Sequence, residues 1–232
     1  MTAVVLQARL DSTRLPRKAL LPLGGQPIIS RIMEALKYIP VDKYVLACPE
    51  DCVSDFAPFA EKIGFEVMGG AKDDVLARYC VAIKKFAIDR LIRATGDNPF
   101  VFVDAALTLE RATDALGADY AGYAGLPYGA GVEIVSASAL LRAERDADLP
   151  EEREHVCPYL YHHPELFLLH RPLAPLKWQG SFFRVTIDTA GDYEWAKTLF
   201  AALDSSVSTR HNGETIITAY RHLLDAVSEG VS

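Results

Sequence analysis

The sequence predicts a three-layer α/β domain built on a mostly parallel sheet, and three observations predict it. Short apolar runs alternate with segments of helical period, the signature of βα units rather than of separate sheets and bundles. The first run, residues 3–6, is continuously apolar, as the central strands of parallel sheets are. Polar stretches at residues 7–18, 95–99 and 188–192 each follow a predicted strand directly, which is where ligands of such sheets bind.

The elements follow from the same chemistry in chain order. After the strand at 3–6 and its polar loop, Gly24 and Gly25 turn the chain and Pro27 suits the first turn of a helix. Ile28, Ile29, Ile32, Met33 and Leu36 then mark one helical face, which ends before Pro40. Residues 44–48 (YVLAC) read as a strand, 53–63 as a helix in spite of Pro58, and 65–68 as a short strand. Asp73 and Asp74 supply the negative charge a helix start favours, ahead of Val75, Leu76, Tyr79, Cys80, Ile83 and Phe86 at helical spacing. A strand at 91–94 runs into TGDNP. A helix at 103–116, a strand at 119–123, a glycine-rich loop at 125–131, a strand at 132–135 and a helix capped by Ser136 come next. Residues 151–163 read as a helix interrupted near Pro158, 166–170 and 182–187 as strands, and 193–203 and 214–227 as helices.

Composition narrows the function. A chain of 232 residues, 50% of them hydrophobic, buries an ordinary core without disulfides or metals, and no linker-like run divides it, so residues 1–232 are expected to be one domain. The net charge of −7 opposes approach to nucleic acid or an anionic membrane. Cys48, Cys52, Cys80 and Cys157 have no zinc spacing and fit reduced thiols in a cytoplasmic protein. The opening apolar run is far shorter than the roughly 20 residues of a membrane span, so neither a signal segment nor a span is expected.

Against that acidic background the loop QARLDSTRLPRK stands out, because it places Arg9, Arg14, Arg17 and Lys18 beside Ser12 and Thr13. It contains no glycine, which excludes both the G-x-x-x-x-G-K-[ST] phosphate loop and the G-x-G-x-x-G dinucleotide turn. Arg9, Arg14 and Lys18 can pair with phosphate oxygens while Ser12 and Thr13 donate hydrogen bonds. A solvated basic loop is the alternative. Asp97 in TGDNP and Asp188 in VTIDTAGDYE are delivered from two strand ends. Two such carboxylates suit a magnesium–phosphate site, since Mg²⁺ takes one or two carboxylates and fills its octahedron with water and phosphate oxygens. The competing readings are an Asx-turn at Asp97 and a helix cap at Asp188. Asp146-Ala147-Asp148 matches the D-x-D of metal-dependent glycosyltransferases, but it follows the helical segment LLRAERD rather than a strand, so it reads as a solvated helix end.

The stretches QARLDSTRLPRKAL, DDVLARY, RATGDNP, GVEIVSASAL, EREHVCPYL and RVTIDTAGDYE resemble, in order and over almost the whole chain, SpsF-like spore-coat-polysaccharide proteins of the CMP-Kdo synthetase and acylneuraminate cytidylyltransferase superfamily. The resemblance implies a Rossmann-like nucleotide-diphospho-sugar transferase fold, and an enzyme that joins a sugar, typically a 2-keto acid, to CMP from CTP with Mg²⁺, releasing pyrophosphate. By the same resemblance Ala8 and Arg9 would lie near the cytidine, Ser12, Arg14 and Lys18 would hold the triphosphate, and Asp97 and Asp188 would be the metal ligands. Glu133 and His155 would line the acceptor pocket, His155 being alternatively a surface residue. Arg93 would meet the nucleotide or an acidic sugar, or else pair with a neighbouring carboxylate. Arg184 would reach the carboxylate of a sugar acid, or form a cross-strand ion pair. The chain departs from the family pattern at Arg17, where glycine is usual, at Ala190-Gly191, where Pro-Glu is usual, and at Cys157, where threonine is common. Relatives are often dimers, and the apolar run at 167–169 is a candidate interface. The rival readings are a transferase using another nucleotide or a nucleotide sugar, and a nucleotide-binding protein without turnover.

Overall fold

The computed structural model describes residues 1–203 and 211–229. Its centre is a seven-stranded sheet. Strands β1 (Thr2–Gln7), β4 (Lys43–Pro49), β5 (Glu66–Gly70) and β6 (Arg90–Thr95) run parallel. Strand β8 (Glu133–Ser136) pairs antiparallel with β6 and with β7 (Tyr120–Ala121), and β9 (Leu169–His170) lies parallel beside β7. The order is β5-β4-β1-β6-β8-β7-β9, with only β8 reversed, so the sheet is mixed and mostly parallel as expected. A separate two-stranded hairpin, β2 (Pro22–Leu23) and β3 (Gln26–Pro27), turns on Gly24 and Gly25, both at positive φ.

The helices are α1 (Ile28–Leu36), α2 (Val53–Ile63), α3 (Val75–Phe86), α4 (Val103–Leu116), α5 (Ala137–Asp146), α6 (Pro150–His155), α7 (Pro158–His162), α8 (Ala190–Ala202) and α9 (Gly213–Glu229). They cover both faces of the sheet, and strand alternation explains why two cores result. Val4 and Leu6 of β1 enter the layer that holds α1, α2, α4 and α8, while Ala3 and Val5 enter the layer that holds α3, α5 and α7. A strand buried on both faces must be apolar throughout, which is why 3–6 shows no alternation.

Three expected elements differ. Residues 182–187 form no strand. Phe183, Val185 and Ile187 are buried while Phe182 is exposed, but Thr186 is buried too, so the alternation holds only at the start of the segment, and among the described residues the only ladder contact is a bridge from Arg184 to Tyr128. The segment docks instead on the loop at 127–130, through Tyr128 N–H to Phe183 O at 2.8 Å and Val185 N–H to Tyr128 O at 2.9 Å. The strands expected at 119–123 and 166–170 shrink to two residues each at the sheet edge. Pro27 stands just before α1 as its cap residue rather than in the first turn.

All four cysteines are free and buried, in accord with reduced thiols. Burial pushes the Cys48 and Cys80 thiols up to about 12 and raises Cys52 and Cys157 as well. Raised values leave less thiolate at a given pH, so at pH 8 the native protein should give no fast reaction with Ellman's reagent and the denatured protein four equivalents. A fast native thiol would contradict the packing described here. Among the described residues, no helix is long and apolar enough to cross a membrane.

Candidate active site

The crevice lies at the carboxyl ends of β1 and β6, the point where the chain, having added β4 and β5 on one side of β1, crosses to the other. The loop after β1 closes on itself through Arg17 N–H to Leu10 O at 3.1 Å, then begins a 3-10 turn at Lys18. That closure aims Lys18 across the crevice. Its Nζ lies 3.3 Å from Asp97 Oδ2, 2.8 Å from Asp188 Oδ1 and 2.8 Å from the Ile187 carbonyl. Arg14 Nη2 reaches Asp188 Oδ1 at 3.2 Å, and Arg184 bonds Asp188 Oδ2 and, at 3.2 Å, Asp192 Oδ1. Cations from the first loop therefore converge with Asp97, just after β6, and with Asp188, from the extended segment before α8.

Backbone geometry explains how the acids get there. Gly96 follows β6 with its N–H on Gln7 O at 2.7 Å, and a Cβ at that position would fall 2.8 Å from Ala8 Cβ, so only glycine lets the two strand ends come this close. Asp97 is steadied by Thr95, whose hydroxyl donates to Oδ1 at 2.7 Å. The segment carrying Asp188 is tied to this end of the sheet by Ile187 N–H to Asp97 O at 2.8 Å.

The cap at the start of α8 removes the capping reading of Asp188. Thr189 is the cap residue, accepting from Asp192 N–H, and the Asp192 carboxylate accepts from the N–H groups of Thr189 and Asp188. With the helix start satisfied by these two, the Asp188 carboxylate is left to face the cations. Burial alone would raise its pKa, but the hydrogen bond and charge of Lys18, with the charges of Arg14 and Arg184, outweigh burial and hold it below the ordinary carboxylate value.

A second network lies alongside, on β6 and β8. Arg93 and Glu133 pair directly, and Arg93 also donates to Gln7 Oε1 at 3.0 Å while the Tyr120 hydroxyl donates to Glu133 Oε1 at 2.7 Å. Burial works against the Arg93 charge, but Glu133 more than restores it. Arg93 thus has the neighbouring carboxylate that the sequence offered as one alternative, on a central strand.

A family model described as cytidylyltransferase matches residues 3–214. The chain belongs to the cytidylyltransferase family. It is accordingly a nucleotidyltransferase, similar to the spore coat polysaccharide biosynthesis protein SpsF of Bacillus subtilis (strain 168), with 32% identity over 84% of this chain and 85% of that one. Among solved structures, a cytidylyltransferase from Leptospira borgpetersenii serovar Hardjo-bovis (strain JB197) shares 26% identity and a TM-score of 0.85, covering 98% of this chain and 95% of the other. A CMP:2-keto-3-deoxy-manno-octonic acid synthetase complexed with CTP shares the fold at 17% identity, with a TM-score of 0.66 over 86% of this chain and 98% of that one. The α/β Rossmann-like nucleotidyltransferase fold expected from the sequence is the one found.

Within this cytidylyltransferase the other expected site residues are placed as follows. Ala8 is buried and gives its N–H to Ala47 O at 3.2 Å. Arg9 is exposed and lies 3.8 Å from both Asp11 and Glu154, Ser12 Oγ accepts from Leu15 N–H at 3.4 Å, and Thr13 is exposed. His155 is the exposed last residue of α6. Arg184 lies on no strand, so the cross-strand pair offered as its alternative reading gives way to ion pairs four and eight residues ahead, with Asp188 and Asp192. Thr95, Gln7 and Tyr120 were not singled out in the sequence; Thr95, two residues before Asp97 at a strand end, is the one whose position could have drawn notice. Asp146 ends α5 and pairs with Arg145 and Arg142, which fits a solvated helix end. Asp146→Asn and Asp148→Asn should each change turnover less than about two-fold, since exposed pairs contribute little. A hundred-fold loss in a steady-state assay would return the D-x-D reading.

Proposed function

We propose that the protein transfers CMP from CTP to a hydroxyl of a 2-keto sugar acid of the Kdo or nonulosonic kind, releasing pyrophosphate, for surface polysaccharide or glycan synthesis. The observation that carries this reading is Lys18, from the first loop, standing within 3.3 Å of both Asp97 and Asp188. The family supplies the nucleotide, and the synthetase that shares this fold points to the class of acceptor.

Among the described residues no three His, Cys, Asp or Glu side chains gather as a metal cage. Two carboxylates that already share one cation do fit Mg²⁺, which asks no more of a protein when phosphate oxygens and water complete its shell. Asp97 and Asp188 would hold it, and the ion would supply charge neutralisation and polarisation of the reacting phosphate. The remaining work falls to the chain. The acceptor hydroxyl oxygen forms a bond to the α-phosphorus as the bond to the β-phosphate oxygen breaks in line, the hydroxyl proton passes to solvent water, and the electron pair leaves with pyrophosphate. Arg14 and Lys18 draw the β- and γ-phosphates into the crevice and offset the charge that grows on the leaving group.

Pyrophosphate release from CTP and Mg²⁺, read over a panel of Kdo, sialic-acid-like and neutral sugars, tests the proposal. A sugar acid should give turnover. Turnover with neutral sugars alone would overturn the acceptor class, and turnover with another nucleotide in preference to CTP would overturn the donor.

A further inference from the structure

The Lys18 ammonium has three acceptors around it, Asp188 Oδ1 and the Ile187 carbonyl at 2.8 Å and Asp97 Oδ2 at 3.3 Å. Three acceptors use all the donors an ammonium has. The side chain is only 12% exposed, so the arrangement is enclosed rather than a passing surface contact. Formal charge in the cluster balances, with Arg14, Lys18 and Arg184 against Asp97, Asp188 and Asp192. Lys18 therefore stands between the two carboxylates, where any cation bridging them has to stand.

Consider what each ligand meets on its own. A divalent ion must break the hydrogen bonds of Lys18 and then sit near a displaced positive charge that has lost its counter-charges in a cluster already balanced. A bare triphosphate keeps the cations but meets three carboxylates. A metal–triphosphate chelate removes both obstacles at once, because the metal takes the carboxylates and the phosphate oxygens take the ammonium. Lys18 suits such an exchange: its four-carbon stem is flexible and its charge is a compact point, whereas a forked guanidinium is bound to one geometry.

We propose that Lys18 is a resident cation that holds the carboxylate pair until a nucleotide arrives, so that the site refuses free divalent metal and admits it only together with the triphosphate. The proposal rests on Asp97 and Asp188 being the metal ligands of the reading above. Linkage makes the effect reciprocal, since whatever factor the nucleotide adds to metal affinity the metal adds to nucleotide affinity.

The test uses the full chain and Mn²⁺ as probe, followed by the free-ion electron paramagnetic resonance signal with no nucleotide present. Lys18→Met should bind free Mn²⁺ about ten-fold or more tightly than wild type, a size within the usual range of coupling. Lys18→Arg, which keeps the charge, should stay near wild type, and adding Asp97→Asn to Lys18→Met should abolish the gain. A folded Lys18→Met protein that binds free Mn²⁺ no better than wild type overturns the proposal. Wild type offers an independent measure that needs no variant: its affinity for CTP should rise about ten-fold or more when Mn²⁺ saturates the nucleotide, and an unchanged affinity would overturn it too. Failure of the functional reading shows elsewhere, as absent pyrophosphate release by wild type, whatever the manganese titrations give.

Discussion

Asp97→Ala and Asp188→Ala should each lower cytidylyl transfer by about 10²- to 10³-fold or more while the protein stays folded. Removing one preorganised charged partner of a transition state costs on the order of 3 to 4 kcal/mol. Here each acid also keeps a cation in place. Without Asp188, Lys18, Arg14 and Arg184 lose a shared counter-charge and retain only Asp97 and Asp192 among them. Their mutual repulsion would splay the side chains that are to meet the triphosphate. The fold does not depend on either carboxylate, because α8 is capped by Thr189 and Asp192 and the docking of 187 on 97 runs through backbone atoms. The expected signature is a fall in kcat in a pyrophosphate-release assay by protein that still unfolds in one cooperative transition, with a lowered midpoint for Asp188→Ala because Lys18 and Asp188 are a little-exposed pair. Wild-type turnover in either variant would remove that residue from the site.

How much of this was readable beforehand follows from what each feature depends on. Strand β1 and the helix faces of α1 and α3 are set by burial of consecutive or periodic side chains, a property of local sequence, and they appear where expected. The polar loops after β1 and β6 were readable for a related reason, since a chain leaving a buried sheet changes abruptly from apolar to charged. The 182–187 segment misled because alternation reports a half-buried extended chain and not its partner; a loop at 127–130 can cover one side as well as a strand can. That Asp188 is not the cap turned on Thr189 and Asp192 satisfying the helix start by themselves. T-x-x-D is a capping box that could have been read from TAGD. The pairing of Arg93 with Glu133 was beyond local reading: it joins β6 to an antiparallel neighbour 40 residues on, a register fixed only by the assembled sheet.

That pairing carries the other large effect. Arg93 and Glu133 face each other in the β6–β8 register with side chains only 12% and 21% exposed, so neither charge has much water to fall back on. Glu133→Ala would leave the guanidinium with only the Gln7 amide as hydrogen-bond partner beside the Tyr79 ring, and strand the Tyr120 hydroxyl as well. Breaking a buried pair from one side costs about 3 to 5 kcal/mol. For a domain of this size each kcal/mol moves the midpoint by roughly 2 to 4 °C, so Tm should fall by about 6 to 20 °C. Replacing both partners together, as Arg93→Met with Glu133→Gln, should recover most of that loss, because no uncompensated charge then remains in the sheet. The comparison also separates stability from recognition. If Arg93 serves only to hold β6 against β8, the double variant should recover turnover along with its Tm. If the guanidinium also meets the nucleotide or the acceptor, the double variant should melt near wild type yet show a raised KM for one of the two substrates, and that substrate identifies which end of the crevice Arg93 faces.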